Sequence, residues 1–139
     1  MDCICCHTPQ RSQSRFHTQW RYQAAVQIAS ELDMERLGVQ GIYLFGSVES
    51  GKAGTGSDID LIFHIDSSEN QKRALLEWLK AWDLKLCEIF KMITGKSTSY
   101  MLDIHLVDDS DIKRKTCFAQ KIHSVYEPVE PLRKRCEPL

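Results

Sequence analysis

No stretch of these 139 residues approaches the run of about 18 apolar residues that a membrane-spanning helix requires. The basic start, apolar centre and small-residue cleavage site of a secretory signal are missing as well. No internal repeat is visible. Positive charge is not in surplus: a formal net charge of −1 gives no reason to expect direct nucleic-acid binding, which ordinarily comes with a basic surface. These absences make a cytoplasmic globular protein the default expectation. At this length the chain is one domain that can bury roughly two-thirds of its unfolded surface, and 42% hydrophobic residues supply enough apolar material for a core.

Six cysteines would suit a disulfide scaffold, but a reducing compartment argues against one. Cys87 and Cys117 sit among apolar neighbours, as small core residues do. Cys3, Cys5, Cys6 and His7 are denser, and Cys3-x-x-Cys6 has the spacing of half a zinc site. The other half is missing, because His17 is too close and Cys136 lies in a tail. A polar, unpacked N-terminal arm over residues 1–17 is the better reading. The expected organisation is that arm, a domain over 18–125, and a loose tail over 126–139 marked by Pro128, Pro131 and the basic run Arg133-Lys134-Arg135.

Within the domain, Trp20, Ala24, Ile28 and Leu32 recur every four residues and predict an amphipathic helix to about Arg36, stopped by Gly38. Strands are expected over 40–45 and 58–65, where β-branched and apolar residues concentrate. Ser68-Glu69-Asn70-Gln71 has the form of a capping box. It opens a helix whose stripe Leu75, Trp78, Leu79, Trp82, Leu86, Ile89 and Ile93 reads as core rather than as a base-stacking platform. A third strand follows over 100–107, then a short helix capped by Asp108 or Asp109 and running to about Cys117. Residues 118–125 are an edge strand or an irregular finish. This order indicates an α/β or α+β fold, a small mixed sheet backed by helices.

The chemistry concentrates between Gly46 and Asp60. The apolar run 41–45 ends in Gly46-Ser47, and ten residues later comes Asp58-Ile59-Asp60. A strand ending in glycine lets backbone N–H groups approach a phosphate. Carboxylates at i and i+2 of a strand face one side, roughly 6.5 Å apart along the backbone, and carboxylates with substrate phosphates suit Mg²⁺. Asp103 adds a third acid in mid-strand, sharing a face with His105 while Leu102, Ile104 and Leu106 share the other. An acid there is costly to bury without a partner, and three acids on neighbouring strands repel strongly without a cation. His105 is read as a neighbour rather than a ligand, since hard Mg²⁺ prefers oxygen. Residues 46–53 nearly spell a phosphate-binding P-loop, Gly-x₄-Gly-Lys-[Ser/Thr], but Ala53 lacks the metal-binding hydroxyl. Gly54-Thr55-Gly56-Ser57 is also a poor helix start.

These residues resemble the DNA polymerase beta-type nucleotidyltransferase superfamily in its minimal single-domain form. Its pattern of apolar strand, Gly-Ser, about ten residues, Asp-x-Asp and a later third acid is met by Gly46, Ser47, Asp58, Asp60 and Asp103, across residues 20–107. More narrowly, residues 20–122 are similar to nucleotidyltransferase domains appended to phosphoenolpyruvate/pyruvate-binding proteins. The resemblance implies a nucleoside triphosphate donor and two Mg²⁺ ions. Asp58, Asp60 and Asp103 would be the catalytic and metal-ligating residues, and Gly46, Ser47, Lys52 and Ser57 would hold the donor. Transfer would go to an unidentified hydroxyl, in-line between two metals, and a partner protein could supply or be the acceptor. A chain with an open cleft and several large apolar residues can also pair with itself as a homodimer. One departure stands out: Val48, Glu49 and Ser50 replace the arginines that many minimal members carry after Gly-Ser. That departure keeps a second expectation open, a non-catalytic regulatory or antitoxin-like module that binds protein.

Overall fold

The computed structural model describes residues 9–114 and 129–135. The expectations for Cys3, Cys5, Cys6, His7, Cys117, residues 118–125 and Cys136 lie outside these. Helix α1 (Pro9–Glu31) opens with a proline, whose missing N–H costs nothing in a first helical turn. Its C-terminal half buries Ala25, Ile28 and Ala29, with Leu32 just beyond. The helix expected to reach Arg36 breaks at residues 32–33. There the Asp33 side chain accepts from the Arg36 N–H and starts a separate turn, α2 (Met34–Leu37), which Gly38 ends in the left-handed region. Strand β1 (Val39–Phe45) follows, then the short helix α3 (Gly46–Ser50) and strand β2 (Ile59–Ile65).

Helix α4 (Glu69–Thr94) begins at the predicted capping box, with Ser68 and Gln71 each accepting from the other's backbone N–H. It buries Leu75, Leu79, Leu86 and Phe90. Trp78, Trp82 and Ile89 pack against the same core, as the apolar stripe predicts. The stripe drifts only at its end, where Phe90 is buried and Ile93 is exposed. Strand β3 (Leu102–Val107), helix α5 (Asp109–Arg114) and strand β4 (Glu130–Lys134) complete the described chain.

The architecture is α+β, with a four-stranded mixed sheet in the order β3-β2-β1-β4. β1 is antiparallel to both β2 and β4, while β2 and β3 are parallel. Parallel neighbours need a long crossover, and α4 provides it. The expected loose tail over 126–139 is corrected in part by β4. Pro131 cannot donate to a ladder, so it marks an edge strand rather than a break, and Arg133 ties the strand back by donating to the carbonyls of Ala29 and Leu32.

The two sheet faces differ sharply. Toward the helices point Ile42 and Leu44 of β1, Ile59, Leu61, Phe63 and Ile65 of β2, and Leu102 of β3, in one buried cluster with α1 and α4. Each fully buried side chain of this kind contributes about 1.5–3 kcal/mol relative to exposure. Among the described residues, the opposite face holds a smaller cluster of Tyr43, Ile62 and Val107, flanked by Phe45, Ile112 and Val129. Strand alternation places Asp60, Asp103 and His105 on this second face.

β3 is held at its start by α4. One carboxylate oxygen of Asp83 accepts from the N–H groups of Met101 and Leu102, at 2.6 and 2.9 Å. Asp83→Ala leaves both donors unpaired and should lower unfolding free energy by about 2 kcal/mol in urea titrations. A loss under about 0.5 kcal/mol, the level of a neutral surface change, would show that solvent replaces the carboxylate without penalty.

Candidate functional site

The site grows from one rung of the sheet. Phe45 of β1 pairs with Asp60 of β2, which pairs with Asp103 of β3. Gly46, the next residue along β1, adopts φ +77°. A Cβ there would occupy the space of the Asp60 carboxylate, so glycine is required both by conformation and by the side chain lying over it. Gly46 and Ser47 then begin α3, which Val48 anchors in the core and Gly51 closes in the left-handed region.

Asp60, Asp103 and His105 come together: each can offer one ligand atom, and these atoms lie within 4.8 Å of one another. His105 Nε2 stands 3.2 Å from Asp103 Oδ2. The Phe45 ring covers the imidazole at 5.6 Å between centroids. Two carboxylates and an imidazole on rigid strands are a donor set that fits a divalent cation. The group therefore contains two of the three acids expected from the sequence, and its third member is the histidine expected to stand aside.

Asp58 is not in that group. It precedes β2 by one residue and lines a cleft of about 380 Å³ with Thr55, Ser57, Phe90, Lys96 and Tyr100 among others. Ser57, a candidate donor-binding residue, is occupied structurally: its hydroxyl accepts from the Gly54 N–H, and its carbonyl accepts from Arg21. Lys52 is exposed just past α3, and its N–H donates to the Ser47 carbonyl.

The segment leading to Asp58 is gripped by residues that sequence reasoning missed. Residues 9–17, expected in an unpacked arm, are helical. Ser14 donates to the carbonyl of Ala53, Thr18 accepts from the Ala53 N–H, and the His17 ring meets Thr55 Oγ1. Arg21, fully buried, donates to the carbonyls of Ser57, Thr55 and His17 at 2.9, 3.2 and 3.1 Å. Its fork satisfies three carbonyls from fixed directions, which an ammonium could not match. Burial is the larger influence on Arg21 and lowers its pKa, while the negative charge of Asp58 acts the other way.

A guanidinium only donates, so His17 Nδ1, 3.3 Å from Arg21, must be the unprotonated nitrogen. Burial, and secondarily the Arg21 charge, lowers the His17 pKa. The available signal was a polar one. Ser14, His17, Thr18 and Arg21 stand at i, i+3, i+4 and i+7, the spacing of one helix face. A search for apolar periodicity passes over it.

Residues 25–117 match the family model for the nucleotidyltransferase domain. Among solved structures, a Sulfolobus solfataricus protein provisionally described as a nucleotidyltransferase matches at 19% identity and a TM-score of 0.40, covering 73% of this chain and 79% of that one. That likeness is too distant to carry an argument. No curated protein matches.

Two outcomes test the geometry. Gly46→Ala must strain the backbone and push the Asp60 carboxylate aside, lowering stability by about 1–3 kcal/mol in urea unfolding. Stability within about 0.5 kcal/mol of wild type would mean that the bend is not constrained as described. The second outcome concerns His17. The unfolded chain protonates it near the ordinary value of about 6.5, whereas the folded protein resists until lower pH. The unfolded state thus binds more protons in that window, and this contribution to stability is full above about pH 6.5 and is lost as pH falls through it. His17→Asn keeps an acceptor for Arg21 but cannot titrate. Its melting temperature should fall less than that of wild type between about pH 7 and 5, and parallel profiles would sink the assignment.

Proposed function

Because the chain belongs to the nucleotidyltransferase domain family, matched over residues 25–117, we propose that it transfers a nucleoside monophosphate from a nucleoside triphosphate to a hydroxyl acceptor, with Asp60 and Asp103 at the reacting centre. The observation that carries this reading is the shared rung of Phe45, Asp60 and Asp103 beside the left-handed Gly46. It sets a carboxylate pair against a backbone bend that carries no Cβ of its own. Asp60 and Asp103 would hold a divalent cation, with Mg²⁺ in the family's usual two-ion arrangement as the first expectation, and Asp58 would contribute from the adjoining segment. When bound, such a cation supplies charge neutralisation to the triphosphate and makes the attacking hydroxyl easier to deprotonate.

The remaining work belongs to the chain. Gly46 and Ser47 offer backbone N–H groups to the phosphates at the start of α3. Ser57, tied to Gly54 and Arg21, supports the substrate segment by fixing Asp58, and Lys52, exposed just past α3, would add a positive charge. The cleft beside Asp58 has the volume of a small-molecule site and would take the part of a substrate that does not react. Holding the groups in place and neutralising charge is most of what phosphoryl chemistry asks of a protein.

One observation favours the second reading, a non-catalytic protein-binding module. Glu49 lies in the first turn of α3, where it competes with a phosphate for the positive helix end. Thermal unfolding separates the two readings. With Mg²⁺ or Mn²⁺ present, one of the four nucleoside triphosphates at a hundredfold excess over its dissociation constant should stabilise the protein by about 2.7 kcal/mol. Pyrophosphate should then be released when lysate provides the acceptor, and Asp60→Asn should slow that release at least about a hundredfold. A folded protein that responds to no triphosphate with either ion fits the binding module and ends the enzymatic proposal.

A further inference from the structure

We propose that His105 is a metal ligand, and that this site accordingly prefers a first-row divalent transition ion to Mg²⁺. The inference rests on the reading of Asp60 and Asp103 as the cation-binding pair and adds the identity of the ion. Three observations bring it about. Asp103 and His105 occupy alternate positions of β3 and so face the same side of the sheet. A ring nitrogen of His105 joins carboxylate oxygens of Asp60 and Asp103 within 4.8 Å. Phe45, on the same rung as both acids, packs its ring against the imidazole. An apolar wall at that distance restricts the imidazole's rotation, so a nitrogen is kept toward the carboxylates rather than swinging into solvent.

The donor chemistry then discriminates between ions. Mg²⁺ demands near-ideal octahedral geometry, keeps several waters and is served by carboxylates and phosphates alone. An imidazole suits transition ions, which combine it readily with carboxylates. A site with two carboxylates and one imidazole, left open for substrate oxygens, therefore has a reason to favour Mn²⁺ or its neighbours. Without an ion, His105 Nε2 at 3.2 Å from Asp103 Oδ2 serves as partner to the acid. Metal binding exchanges that contact for coordination.

The test uses Mn²⁺ and Mg²⁺ themselves, read without turnover. Competition followed by the paramagnetic signal of free Mn²⁺ should show wild type binding Mn²⁺ at least about tenfold more tightly than Mg²⁺, and His105→Gln should remove most of that preference, a loss on the scale of about 10–100-fold seen when groups around a metal are changed. Pulsed electron paramagnetic resonance of the wild-type Mn²⁺ complex should show nitrogen coupling from a coordinated imidazole. That measurement on the unmodified protein stands even where a variant folds poorly. Mn²⁺ bound in a manner that Asp60→Asn abolishes, but with no nitrogen coupling, overturns this inference and leaves the proposed function standing. Failure of wild type to bind either ion overturns both.

Discussion

Phe45, Asp60 and Asp103 are neighbours across three strands, and this rung is the constraint on which the arrangement depends. Side chains alternate along a strand, so a one-residue slip of β2 would carry Asp60 into the helix-facing core and bring Ile59 or Leu61 out. The register is defended from several directions. The buried set of Ile59, Leu61, Phe63 and Ile65 allows only one face inward. Asp83 pins the first residues of β3, and the Ile59 N–H donates to the Met101 carbonyl at 2.7 Å. The long helix α4 thereby does more than cover the sheet, since it sets the level at which Asp103 meets Asp60.

Charge at this end of the sheet is arranged in two layers. On the second face, two carboxylates within 4.8 Å would repel by on the order of 3 kcal/mol at most, and less where water screens them. His105 Nε2 stands beside them, 3.2 Å from Asp103 Oδ2. On the inner side, Arg21 is fully buried and draws on carbonyl oxygens, with Asp58 as the acid whose charge reaches it. A buried cation with a complete set of acceptors is tolerable, whereas one missing them is not. The polar face of α1 therefore gives the 51–57 loop its shape, and the acids stay close to one another without a rearrangement of the backbone.

Legibility followed from what kind of force made each element. β2, α4 and the Gly46-Ser47 bend were readable because apolar alternation, helical periodicity and glycine chemistry are written locally. The capping box at Ser68 and Gln71 was readable for the same reason. The N-terminal half of α1 was not, because polar bonds to a loop more than 30 residues away hold it. β4 escaped since its five residues include a proline and gain their stability from β1 rather than from their own pattern. The break before Met34 turned on one Asp33 hydrogen bond. At the site, Asp60 and Asp103 were legible from type and spacing. His105 was placed on the correct face, and the structure brings its ring nitrogen within 4.8 Å of both carboxylates.

That last point bears on how phosphates can be held here at all. At the bend, α3 presents backbone N–H groups, yet its first turn carries Glu49 and its basic residue, Lys52, comes only after the helix has ended. A second basic residue, Lys96, lines the same cleft as Asp58. Neither side chain is a planar, bidentate phosphate clamp of the kind arginine forms. On the proposed function, backbone donors at Gly46 and a cation at Asp60 and Asp103 would supply binding energy for a triphosphate. A weakly held, freely exchanging ion would serve that purpose poorly. A third ligand that tightens the ion without adding negative charge answers the difficulty, and neutral imidazole has that property. If the proposed site is right, Glu49 and His105 are two parts of one adjustment: an acid in the first turn of α3, and an uncharged donor that would keep the cation in place.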